Sequence, residues 1–263
     1  MLGQEKIVEY ICSKDRETFP RSIILCGESG CGKHTITELI GKQLNLNIID
    51  ITDNISFDYL LELQQKPEPC VYRIEANRLT IKTQNALLKF VEEPLKNSFI
   101  VILSEYKDQL LQTIYNRCQV LNFSPYTKET LKQFTKDDFI LKIAHTPGQI
   151  KSLEKCNIQE LMSLCASVVS KMPTTTAGAL LTISRKIAFK DGDKGFDLNV
   201  FSNTLNYVLV DFIKTHANIP TAYTDFYLLY AEWNKNRKSA SVNQKYLFEH
   251  YLLEIKKCFE VAK

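Results

Sequence analysis

The sequence predicts a doubly wound α/β layer built on a parallel five-stranded sheet, followed by an all-α C-terminal half. Three observations carry that reading. Up to residue 124, short and almost wholly apolar runs alternate with helix-period segments, the pattern of strands covered on both faces by crossover helices. After Ser124-Pro125 the strand pattern disappears. Three of the nine glycines, Gly27, Gly30 and Gly32, fall within six positions, a clustering that needs a backbone reason.

Taken in order, Ser22–Cys26, Asn47–Ile51, Cys70–Ile74, Phe99–Leu103 and Gln119–Phe123 read as the strands. Lys33–Leu44, Phe57–Gln65 and Ile81–Glu92 read as the helices between them. In the last, Ala86, Leu87, Phe90 and Val91 line one helical face before Pro94 stops the helix. Turn signals at Pro147-Gly148, Pro173, Asp191-Gly192 and Pro220 divide the rest into helices. Phe196–His216 and Ser241–Phe259 are the most periodic of these. The expected division is a core over 1–124, a small helical bundle over 125–160 and a larger one over 161–263.

Composition excludes several classes. With 44% hydrophobic and 24% charged residues the chain matches a soluble globular protein. No apolar run approaches the roughly 20 residues that span a bilayer, so no membrane role is expected. The N-terminus has no apolar signal core, which makes the cytoplasm the expected location. Eight cysteines include no CxxC pair, so neither a disulfide framework nor a metal site is expected. A net charge of +3 is too small for a stand-alone nucleic-acid binder, while leaving room for a local basic surface.

Gly27-Glu28-Ser29-Gly30-Cys31-Gly32-Lys33 follows a predicted strand and opens a predicted helix, the context in which G-x-x-x-x-G-K is a phosphate loop. Its glycines let backbone N–H groups curl around a phosphate, the helix N-terminus adds partial positive charge, and Lys33 adds a point charge. The next position normally carries the hydroxyl that holds magnesium, and here it is His34. Thr35 has a hydroxyl, but it lies about 100° further round the helix. Imidazole is a poor ligand for a hard, oxygen-seeking cation. Nucleotide binding is therefore expected ahead of nucleotide hydrolysis.

A second strand, Cys70 to Ile74, runs into Glu75-Ala76-Asn77-Arg78-Leu79-Thr80, as the second nucleotide motif of phosphate-loop ATPases does. Beyond it, Gln84-Asn85-Ala86-Leu87-Leu88-Lys89-Phe90-Val91-Glu92-Glu93-Pro94 resembles a segment of the AAA+ subunits of DNA polymerase clamp loaders. These are the bacterial delta-prime and gamma/tau subunits and their phage and eukaryotic counterparts. Thr113-Ile114-Tyr115-Asn116-Arg117-Cys118-Gln119 resembles the Ser-Arg-Cys motif of the same family, with Asn in place of Ser. Residues 43 to 70 contain only Cys70, so the zinc insertion of many bacterial relatives is missing.

The resemblance implies an AAA+ core with a helical lid over 125–160 and a helical collar over 161–263 that joins subunits into a five-membered ring fragment. It implies ATP as cofactor, with Gly27, Gly30, Cys31, Gly32, Lys33, His34 and Thr35 around its phosphates. Ser104 falls at the polar sensor position and Lys151 near a lid sensor. Glu75 matches the water-activating Glu, which leaves Ile74 where a metal-associated Asp belongs. A second register puts Glu75 in the Asp position and Ala76 in the Glu position. The first is preferred because it aligns without a gap, and either leaves one acid missing, so Mg2+ has little support. Arg117 is the residue expected to reach a neighbouring subunit's nucleotide as an arginine finger, and Lys82 and Thr83 are expected to touch the DNA backbone.

The expected function is that of a clamp-loader subunit. It would bind ATP, hydrolyse it weakly, and supply Arg117 in trans while a sliding clamp is loaded on primer-template DNA. The expected partners are the other subunits of a hetero-oligomer, the clamp and the DNA. One alternative is a fully active ATPase subunit in which Thr35 or water replaces the missing hydroxyl. Another is an unrelated AAA+ ATPase, which would leave the Asn-Ala-Leu-Leu-Lys and Glu-Glu-Pro segments unexplained.

Overall fold

The computed structural model of the protein describes residues 2–51, 59, 69–93, 98–188, 198–215, 220–236 and 244–261. Apart from Tyr59, the expected helix over Phe57–Gln65 lies outside the described residues, as do Pro94 and the turn at Asp191-Gly192. Strands β1 (Ser22–Cys26), β2 (Asn47–Ile51), β3 (Cys70–Glu75), β4 (Phe99–Ser104) and β5 (Gln119–Asn122) form one parallel sheet in the order β2-β3-β4-β1-β5. The apolar run of β2 does not mean cover on both faces: it is an edge strand, and Asn47, Ile49 and Asp50 are exposed.

Alternation along the strands sorts side chains between two layers. On one face α1 (Glu5–Cys12), which the strand pattern alone did not reveal, and α2 (Lys33–Leu44) contribute Ile7, Ile11, Ile36 and Ile40. They meet Ile23, Leu25, Val71 and Val101. On the other face α3 (Ile81–Glu92) and α4 (Gln112–Tyr115) set Leu87, Phe90 and Ile114 against Ile24, Tyr72, Ile74 and Ile102. Phe90 meets Tyr72 edge to face at 5.4 Å. Burial of such a side chain contributes about 1.5–3 kcal/mol. Helix α3 starts where Thr80 caps it by accepting from the Thr83 N–H.

The chain divides into two compact units, Met1–Thr130 and Leu131–Lys263. A short helix, α5 (Lys128–Leu131), spans the division. Among the described residues of the second unit the regular elements are helices: α6 (Asp138–Ile143), α7 (Pro147–Lys155), α8 (Ile158–Lys171), α9 (Ala177–Ala188), α10 (Leu198–Thr215), α11 (Pro220–Asn236) and α12 (Gln244–Val261). Helices on either side of residue 160 share one interior. Asn203 of α10 donates to the Ile143 carbonyl at 3.2 Å and accepts from the Tyr230 hydroxyl at 3.0 Å. Phe139 packs on Tyr207. Trp233 lies stacked on Tyr251 at 5.4 Å, with Phe248 against both. Among the described residues no helix is long and apolar enough to cross a membrane.

Candidate nucleotide site

The site lies at the carboxyl edge of the sheet, where β1 separates β4 from β5 and the strand order reverses, the usual place for a ligand in an open α/β sheet. At the end of β1 the Gly27 N–H donates to the Ser104 carbonyl at 3.0 Å, and a Cβ on Gly27 would fall 2.7 Å from that of Phe123. Gly30 and Gly32 take φ values of +78° and +103°, a conformation that costs other residues about 1–2 kcal/mol. Gly32 is also the N-cap of α2 and offers its first turn no side-chain acceptor. The N–H groups of His34 and Thr35 are thus available to an anion.

Lys33 is nearly buried and turns back on the loop, donating to the Gly27 carbonyl and, at 3.1 Å, to that of Glu28. Its ammonium holds the cradle in shape. Burial pushes the Cys31 thiol up to about 11, so near neutrality no thiolate opposes a phosphate. The Tyr126 hydroxyl donates to the Cys31 carbonyl at 2.8 Å. Tyr126 in turn covers Gly3, where a Cβ would lie 2.9 Å from its ring. Gln4 fixes the same strap through two bonds to the Ser124 backbone, 2.7 and 3.0 Å long.

The magnesium side of the site is built differently. Glu75 faces α2, and its Oε1 lies 3.5 Å from His34 Nε2 while its Oε2 lies 3.3 Å from Arg78 Nε. Ile74 points to the opposite layer, fully buried beside Tyr72 and Phe90. The register that matches this geometry is the second one, with Glu75 opposite position 34 and the buried Ala76 after it. The gapless alignment misjudged the pair because adjacent strand residues face opposite layers. Thr35 is exposed on the next position of α2. Among the described residues no group of three or more His, Cys, Asp or Glu is set to hold a metal ion. His34 offers Mg2+ no oxygen ligand, and both oxygens of Glu75 already have partners.

Ser104 is fully buried, and its hydroxyl lies 2.7 Å from the Tyr106 carbonyl and 3.0 Å from Gln109 Oε1. It is thus engaged with the loop that follows β4. Gln84, buried on α3, donates to the Gln109 carbonyl at 3.0 Å and accepts from the Leu111 N–H at 2.7 Å. This ties α3 to the segment leading into α4 and Arg117. The Arg117 guanidinium is 38% exposed, pairs through Nε with Glu92, and donates from Nη1 to the Thr113 carbonyl at 2.8 Å. Cys118 packs inward, its thiol pushed up to about 12 by burial.

At the start of α3, Lys82 is exposed and Ile81 is 70% exposed, while the Thr83 hydroxyl donates to the Thr80 carbonyl. Lys151 is exposed on α7 of the second unit. Reading the sequence for motifs missed Gln4, Gln84, Glu92 and Tyr126 as supporting residues. A polar residue on the apolar face of α3 was the one available signal, for Gln84.

Comparison with known proteins bears on kinship. A family model described as DNA polymerase III, delta subunit, matches residues 63–127. The DNA polymerase III subunit delta' of Haemophilus influenzae is 34% identical over 104 residues, which is 39% of this chain and 31% of that protein. The Bacillus subtilis subunit delta' is 40% identical over 57 residues, 22% of this chain and 17% of its own length. Over these stretches the chain is similar to DNA polymerase III subunits delta'. It matches less than a third of the length of those two relatives. The replication factor C small subunit of Natronomonas pharaonis is 27% identical over 160 residues, covering 55% of this chain and 46% of that one. Among solved structures, a gamma subunit-related protein of Thermotoga maritima aligns with a TM-score of 0.50 at 16% identity, over 97% of this chain and 99% of the other. The RuvB Holliday junction branch migration motor of the same organism aligns at 0.52 and 19% identity, over 96% and 88%. These last two speak for the AAA+ fold alone.

Proposed function

We propose that the protein is a clamp-loader subunit that binds ATP, hydrolyses it weakly, and supplies Arg117 to the nucleotide site of a neighbouring subunit. The observation that carries this reading is the contrast between Arg117 and the chain's own site. Arg117 is on the surface, oriented by Glu92 and the Thr113 carbonyl. His34, by contrast, stands where the magnesium-binding hydroxyl would be expected, and Glu75 opposite it already has a partner on each oxygen. An arginine that stabilises transferred charge in trans needs no metal in its own subunit.

In this reading the collar helices over 161–263 join the chain to its fellow subunits, and Lys82 and Thr83 meet the DNA backbone through the N-terminus of α3. The partners are the other loader subunits, a sliding clamp and primer-template DNA. Reconstitution tests this. The protein should co-elute with loader subunits from its own source, and leaving it out should stop clamp placement on primed DNA. Failure to associate with any loader subunit or clamp would refute the assignment.

A further inference from the structure

The two sides of the nucleotide site make different demands on a ligand. The cradle offers a polyphosphate the Lys33 ammonium, the free N–H groups of the first turn of α2 and two left-handed glycines. Opposite it stands Glu75, which faces position 34, and each of its oxygens already has a partner: His34 on one, Arg78 on the other. A magnesium ion seated there would have to displace both partners, accept an imidazole where it favours oxygen, and do without the second acid, since Ala76 follows Glu75. Arg78 answers the charge of Glu75 from within the protein, so a phosphate needs no divalent ion between itself and that carboxylate.

We propose that this site takes a nucleoside polyphosphate without a divalent cation, and that His34 is the residue that makes its binding indifferent to magnesium. The proposal rests on the nucleotide-binding reading of the phosphate loop and goes beyond it by naming the bound species, the metal-free nucleotide. Lys33 exchanges its two loop carbonyls for phosphate oxygens on binding, and Glu75 stays paired.

The test is a fluorescence titration of the full chain with a methylanthraniloyl-labelled ADP and ATP, once with magnesium in excess and once with EDTA. The expected dissociation constants differ by less than about threefold between the buffers. A loss of about tenfold or more on chelation overturns the proposal and leaves the nucleotide-binding reading intact. No binding in either buffer overturns both. His34→Thr, at an exposed helix position, restores a hydroxyl and releases one oxygen of Glu75. It should make binding about tenfold tighter with magnesium than without. If this variant stays indifferent to magnesium, while His34→Ser does the same and both melt at the wild-type temperature, His34 is not the cause and the proposal falls.

Discussion

The phosphate side of the nucleotide site and its magnesium side adjoin at the first turn of helix α2, and only the first keeps the chemistry of the motif. From Gly27 to Lys33 every feature is present: two left-handed glycines, a buried lysine, and unfilled N–H groups. From His34 across to Glu75 and Ala76 the magnesium side presents an imidazole, a carboxylate paired twice, and a buried methyl group. The two halves of a phosphate-loop motif are separate chemical devices and can be lost separately.

The largest expected effect comes from placing an acid at position 74, where the gapless register would have it. Ile74→Asp would put a carboxylate into the layer of Tyr72 and Phe90, and an uncompensated buried charge costs about 3–5 kcal/mol. Urea denaturation should register that loss in midpoint. A variant of wild-type stability with a gain in magnesium affinity would break the comparison. Next in size, Lys33→Ala removes the charge of the intact half. Hydrogen bonds to charged groups contribute about 1.5–3 kcal/mol, so nucleotide affinity should fall about ten- to hundredfold in a direct titration. An unchanged affinity would mean that the cradle is not where the nucleotide sits.

The smallest effect concerns the edge of the sheet beside the site. Arg73, hydrogen-bonded to Asp50, holds that carboxyl below its ordinary value of 3.8. The folded value lies below the unfolded one, so the pair's contribution is complete above about pH 4 and is lost as pH falls through the folded value. The Asp50 side chain is 46% exposed, which limits the contribution to under about 1 kcal/mol. Asp50→Asn should therefore lower the melting temperature slightly at neutral pH and flatten its fall in acid. An equal shift at every pH would contradict the assignment.

The sheet was largely legible because its strands are apolar runs of β length: β1 and β2 keep the bounds read for them, and the others change by one residue at an end. Helix α1 was passed over because it precedes the first strand. The phosphate loop was legible because its chemistry is local. What lay hidden was long-range or alternating. Tyr126 bonds to Cys31 across 95 positions, and Glu92 meets Arg117 from another helix. Whether Ile74 or Glu75 faces α2 depends on which layer each strand residue enters, and a gapless alignment does not carry that information.

The central claim is that this chain acts on a partner's nucleotide more than on its own. Steady-state ATP turnover of the reconstituted complex, with wild-type protein, Arg117→Ala or Lys33→Ala, tests it directly. The account predicts that Arg117→Ala slows hydrolysis at the neighbouring site by about a thousandfold, the lower end of what such fingers contribute, while Lys33→Ala leaves most of the complex's turnover in place. Turnover untouched by Arg117→Ala and abolished by Lys33→Ala would contradict it.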